Sequence, residues 1–200
     1  MQSIQTVSEN TIYVGASDRR LAKFENLFPI PRGVSYNAYV ILDEKTALLD
    51  TADASVGAQF LENVAAALDG RKLDYLIVDH MEPDHAAMIE AVLVRWPDLR
   101  LVVNAKTLPM LKMYFPTDSA AIDDALVVKE GDTLDLGKHK LTFVMAPMVH
   151  WPEVMMTFDT TTGTLFSADA FGTFGALEGA LFADEVDFCL LYTSPSPRDS

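Results

Sequence analysis

The run His80-Met81-Glu82-Pro83-Asp84-His85 places four metal-ligating side chains within six residues, directly after the apolar segment Tyr75-Leu76-Ile77-Val78. Donors at that density beside a buried strand are costly to desolvate unless a cation shares them, so the fold has to bring a strand end to a metal. On an extended backbone alternate side chains point to one side, which aims His80, Glu82 and Asp84 together and turns Met81 and Pro83 toward the protein. His85, next to Asp84, then points elsewhere and can serve a second metal. Pro83 fixes its own φ and lacks an N–H, stiffening the loop between the carboxylates. The spacing predicts two metals sharing one loop.

Around this run, short strands alternate with helices. Residues 11–14, 37–42 and 46–49 read as strands, the last two joined by a hairpin loop at Asp43-Glu44-Lys45. A helix is expected from a cap at Ser55, or alternatively at Asp53, through Leu68; Phe60, Leu61, Val64, Ala65 and Leu68 share a face and Gly70 suits its stop. Residues 75–78 form a strand, 86–96 a helix stopped by Pro97, 101–103 a strand, and 107–115 a helix ended before Pro116. Strands return at 126–128, 133–136, 141–145, 154–158 and 164–166. The threonine-rich segment 160–164 lies between two of these and opens no helix, so it reads as a hairpin turn and not a phosphate loop.

Strands, then helix–strand alternation, then strands again imply a layered α/β arrangement with sheets covered by helices. His80, His150 and Asp169 each follow a strand in this reading. At 200 residues, half of them hydrophobic, the chain is long enough for one substantial core. No apolar run approaches the roughly 18 residues of a membrane span, and no signal peptide is visible. The single cysteine, Cys189, cannot form an internal disulfide, which suits a reducing cytoplasm. A formal net charge of -14 argues against nucleic acid or an anionic membrane as partner. Residues 191–200 are Ser/Pro-rich without core periodicity and read as a non-native or disordered tail, leaving 1–190 as the folded domain.

With His80-Met81-Glu82-Pro83-Asp84-His85, the later Met148-Val149-His150-Trp151-Pro152 and the later Phe166-Ser167-Ala168-Asp169-Ala170-Phe171-Gly172, the chain resembles the flavodiiron proteins, or A-type flavoproteins. The resemblance runs from near residue 1 to about Phe188 and implies a metallo-β-lactamase-like αββα sandwich, incomplete at the C-terminus. It implies two irons, the first held by His80, Glu82 and His150, with Asp169 as the bridging carboxylate. The second takes Asp84 and, in some members of the family, the adjacent His85. A further histidine that completes the second iron in the family has no counterpart among the four histidines here, His80, His85, His139 and His150. The flavodoxin-like domain that would carry FMN is also missing, so the chain is expected to be a truncated diiron domain.

The implied reaction is reduction of dioxygen to water or of nitric oxide to nitrous oxide, with electrons from FMN and a rubredoxin-like donor. The full-length protein is expected to be a homodimer or homotetramer, because in the family the flavin reaches the metals across a head-to-tail dimer. The residues themselves agree with iron. Glu82 stands where hydrolytic zinc relatives of the fold place a histidine, adding a hard oxygen donor. Three carboxylates against two divalent ions leave one positive charge, which a bridging hydroxide would neutralise. The alternative is a dizinc hydrolase of the same fold; a third reading is an inactive fragment that holds one metal weakly. With four donors, the first position should load better than the second. Taken alone, His150 is also readable as a hydrogen-bonded histidine beside Trp151 and Asp169 as a turn residue, while Met148, Phe171 and Phe174 are readable as walls of the substrate pocket or, as is more usual for such residues, as core.

Overall fold

Side chains along the central strands alternate between two apolar layers, and that alternation sets the architecture. The computed structural model describes residues 3–24, 26–115, 120–172, 174–179 and 181–185. Strands β1 (Gln5–Ser8), β2 (Thr11–Tyr13), β3 (Ala16–Asp18), β4 (Lys23–Phe24), β5 (Phe28–Pro29), β6 (Val34–Tyr36), β7 (Tyr39–Leu42) and β8 (Thr46–Leu49) come first. The alternating middle holds helix α1 (Gly57–Leu68), β9 (Tyr75–Ile77), helices α2 (Pro83–Ala86) and α3 (Ile89–Arg95), β10 (Arg100–Asn104), helices α4 (Thr107–Tyr114) and α5 (Ala120–Asp123), and β11 (Leu126–Val128). Strands β12 (Thr133–Asp135), β13 (Lys140–Met145), β14 (Met155–Asp159) and β15 (Thr164–Phe166) follow. Pro116, Cys189 and the 191–200 segment lie outside the described residues.

One sheet has the order β1-β2-β7-β8-β9-β10-β11, the other β12-β13-β14-β15. The larger sheet is antiparallel through β8 and parallel from β8 to β11, where helices make the crossovers. Val40, Leu48, Leu76, Leu101 and Val103 face the helices and pack with Phe60, Val64, Ile89, Val92 and Leu111. Their neighbours Ile41, Leu49, Ile77 and Val102 point the other way and meet Leu141, Phe143, Met155 and Phe166 of the smaller sheet. Both faces of β8 are therefore buried, as in strands covered on two sides. Helix, sheet and sheet are three layers of the expected sandwich; on the outer face of the smaller sheet Val144 and Leu165 are exposed.

Local chemistry explains where the elements differ from expectation. The cap before α1 is Asp53 and not Ser55: its carboxylate accepts from Ser55 N at 2.7 Å and opens a short 3-10 turn (Ala54–Val56) that runs into the helix. The helix expected over 86–96 starts later, as α3 from Ile89, and a separate helix, α2, ends at Ala86. The Thr51 N–H and hydroxyl donate to His85 O at 2.8 and 2.6 Å, taking the carbonyl that the N–H four residues on would otherwise use. The ribbons β3–β6 and β4–β5 carry no periodic signal and were not expected. The hairpins at 43–45 and 160–163 close as read, with Leu42 opposite Thr46 and Asp159 opposite Thr164.

Gly15 marks a close approach between the first ribbon and the larger sheet. A Cβ there would stand 1.9 Å from Tyr36 O and 2.7 Å from the Tyr13 hydroxyl. Because the obstruction is backbone and a buried ring, Gly15→Ala is expected to lower stability by about 3 kcal/mol. Urea unfolding should show a lower midpoint at unchanged slope.

Candidate metal centre

Six of the side chains singled out in the sequence meet where strand ends of both sheets converge. His80 follows β9 and is fully buried. Glu82 is the residue before α2, and its carbonyl accepts from His85 N and Ala86 N at 2.9 and 3.0 Å. Pro83 is the first residue of that helix, a position where its missing N–H is not needed. The backbone is therefore extended only to Glu82. The expected alternation fails beyond it: Asp84 and His85 sit on a helical turn, and Asp84 groups with His85 instead of with His80 and Glu82. Met81 does face the core, as expected.

His150 comes from the turn after β13, and Asp169 from the turn after β15. Both turns use left-handed backbone at ordinary residues, with φ of 68° at Met148, 48° at Ala168 and 68° at Phe171. Such conformations are costly and concentrate at functional sites. His150 Nε2 lies 2.6 Å from Glu82 Oε2 and 3.1 Å from Asp169 Oδ2; His80 Nε2 lies 3.1 Å from Glu82 Oε2 and 3.4 Å from Asp169 Oδ2. On the other side of the same carboxylate, His85 Nε2 is 2.7 Å from Asp169 Oδ1 and 3.6 Å from Asp84 Oδ2. Two donor groups result, His80, Glu82, His150 and Asp169, and Asp84, His85 and Asp169. Each oxygen of Asp169 faces a different group.

The electrostatics are those of a centre built around positive charge. Burial opposes protonation of His80, yet hydrogen bonds with Asp169, Glu153 and Glu82 outweigh it and push the imidazole up to about 11. His85 is also raised, against burial, by Asp84, Asp169 and Asp50. Asp169 is held far below the usual carboxylate range, burial notwithstanding, by those two imidazoles. Burial pushes the Asp84 carboxyl up to about 7, and Asp84 Oδ1 is buried with no hydrogen-bond partner. Carboxylates that need protonated imidazoles to stay buried, with one oxygen unpartnered, fit a site that takes up cations in exchange for protons.

Two contributors escaped the sequence reading. Glu153 and Asp50, both buried, lie behind His80 and His85. A lone acid three residues after His150 and another at a strand end give no signal until the fold brings them to the imidazoles. His139, by contrast, is far from the centre in role: its Nδ1 is 2.8 Å from Asp159 Oδ2, a contact internal to the smaller sheet. Of the aromatic and Met residues read as core, Phe174 packs on Phe24 at 5.1 Å between centroids, but Met148 and Phe171 are 70% and 86% exposed. Their strained turns hold them out beside the ligands.

A family model described as ODP family beta lactamase matches residues 34–192. The chain belongs to that family. Known relatives of this ODP-family domain include an anaerobic nitric oxide reductase flavorubredoxin from Klebsiella pneumoniae, 38% identical over 93% of the chain but only 38% of the relative. Among solved structures, the flavodiiron protein from Giardia intestinalis superposes with a TM-score of 0.89 at 28% identity, covering 96% of this chain and 46% of that one. The rubredoxin oxygen:oxidoreductase from Desulfovibrio gigas gives 0.88 at 31% identity, over 94% and 46%. The resemblance to flavodiiron proteins and the metallo-β-lactamase-like fold read from the motifs therefore hold. The chain spans less than half the length of these relatives. No helix among the described residues is long and apolar enough to cross a membrane.

Proposed function

We propose that this chain is the metal-bearing part of a cytoplasmic flavodiiron oxidoreductase that reduces dioxygen to water or nitric oxide to nitrous oxide. In that reading His80, Glu82, His150 and Asp169 hold one iron, and Asp84, His85 and Asp169 the other. The observation that carries it is the placement of the two Asp169 oxygens, one toward each donor group. The names of the relatives support both substrates, and they support a rubredoxin-type donor. FMN as the electron source and a homo-oligomeric assembly are part of the same proposal. A hard carboxylate at Glu82 favours iron over the dizinc alternative.

Two bound irons would supply redox equivalents and Lewis acidity at the centre. The chain's own residues set the access. His80 and Met81 close the inner side, while His150 and Asp169 are the partly exposed ligands. Small substrates and electrons thus approach from the side of Met148 and Phe171.

Anaerobic reconstitution with ferrous iron followed by metal analysis tests the proposal. The four-donor position should fill first and the three-donor position more weakly, and the ferrous-loaded chain should bind nitric oxide without sustained turnover. Equal, tight loading of both positions would contradict the donor count. Zinc retained at full occupancy with hydrolysis of an ester or lactam would remove the oxidoreductase reading.

A further inference from the structure

Behind each of the two innermost imidazoles stands a buried acid that belongs to neither donor group. Glu153 is 1% exposed, and its Oε1 lies 2.8 Å from His80 Nδ1 and accepts from Met81 N at 3.0 Å. Its backbone is fixed in turn by Asn104 at the end of β10, whose Nδ2 donates to Glu153 O at 2.5 Å while its Oδ1 caps α4. Asp50, at the end of β8, has a left-handed φ of 53°, which turns its carboxylate under the metal loop. There Oδ2 is 3.0 Å from His85 Nδ1, and Oδ1 accepts from Asp79 N at 2.7 Å and, at 3.4 Å, from the main-chain N of His80, so that His85 is the one ring Asp50 holds. With both Nδ1 edges occupied, the Nε2 edges of His80 and His85 face Asp169 at 3.4 and 2.7 Å.

We infer that Glu153 and Asp50 are positioning residues, each locking one imidazole by its Nδ1 edge so that His80 is presented to one metal position and His85 to the other. The inference rests on the metal-centre reading above. An imidazole can ligate through either nitrogen and rotates about two side-chain bonds. A carboxylate on Nδ1 fixes the tautomer, removes the rotation and makes Nε2 the more basic donor. A buried carboxylate needs compensation, and Glu153 finds it on one oxygen only: Oε1 meets His80 and one backbone N–H, while Oε2 is buried without a hydrogen-bond partner, so the contact with His80 is the main one holding the charge. Since the two acids come from different elements and each reaches a different ring, their effects should separate by metal position, which a general loss of packing would not produce.

Cobalt(II) titration of the metal-free chain, followed by visible absorption, provides the test. Each variant is measured alone and on Asp84→Asn or Glu82→Gln backgrounds, so that one position is read at a time. Glu153→Ala should weaken the His80 position by about 10–100-fold and leave the His85 position within about twofold. Glu153→Gln, whose amide oxygen still accepts from Nδ1, should fall in between, and Asp50→Asn should reverse the pattern. Nitrogen NMR of the zinc-loaded chain should show zinc on His80 Nε2 and the proton on Nδ1 in the wild type and in Glu153→Gln, and a mixture of Nε2-ligated and Nδ1-ligated or unligated rings in Glu153→Ala. If Glu153→Ala does not fold, the Gln and Asn variants still carry the crossed comparison. Equal weakening of both positions by either variant, or none by any, overturns the inference while the metal centre stands. A wild-type chain that takes up no cobalt overturns the metal-centre reading and this inference with it.

Discussion

Asp169→Asn is expected to empty both metal positions together, lowering affinity at each by more than about a hundredfold, beyond the range that outer partners command. Glu82→Ala should weaken only the first position and Asp84→Ala only the second. The difference follows from geometry. Asp169 Oδ2 lies within 3.4 Å of His80 Nε2 and 3.1 Å of His150 Nε2, while Oδ1 lies 2.7 Å from His85 Nε2. Asparagine keeps the shape but loses the charge, and its nitrogen cannot ligate. The turn itself should survive, because it is held by main-chain bonds, Gly172 N to Asp169 O and Ala170 N to Ser167 O, both at 3.0 Å. Iron per chain after anaerobic reconstitution, with far-ultraviolet circular dichroism as the folding control, gives the readout. One metal retained at wild-type affinity in Asp169→Asn would show that the carboxylate is not shared.

The donors were legible because ligand chemistry leaves a local trace: four in six residues, and two more in the turns that follow strands. The strands were legible for a related reason, since burial on one or both faces writes its period into Val40, Ile41, Leu48 and Leu49. What failed was geometry set by contacts distant in sequence. Alternation through Asp84 follows from an extended backbone, but Pro83 starts a helical turn and Thr51, 34 positions from His85, takes the His85 carbonyl and ends it. Asp53 displaced Ser55 as cap because both residue types suit that role and only the local turn decides. Glu153 reaches His80 across 73 positions, and Asp50 reaches His85 across 35. Residues that act through a ligand have no spacing rule of their own.

Metal should also hold the fold together, and chelation should expose how much. The donors come from the 80–85 loop and from single residues at 150 and 169, so the unfolded chain cannot assemble them and binding favours the folded state alone. A position saturated at about a thousand times its Kd contributes about 4 kcal/mol, or roughly 8–16 °C in unfolding temperature for a chain of this size. The effect should grow with pH. His80, raised to about 11 in the metal-free fold, has a folded pKa above its unfolded value of 6.5. Its contribution to the metal-free fold is therefore complete below about pH 6.5 and is lost as pH climbs through about 11. The metal-free chain loses that support, while protons compete less with the metal for the imidazoles. Calorimetry with and without a chelator at about pH 7 and about pH 9 should show the gap widening at the higher pH. A gap below about 2 °C at both would mean that no cation bridges the three stretches.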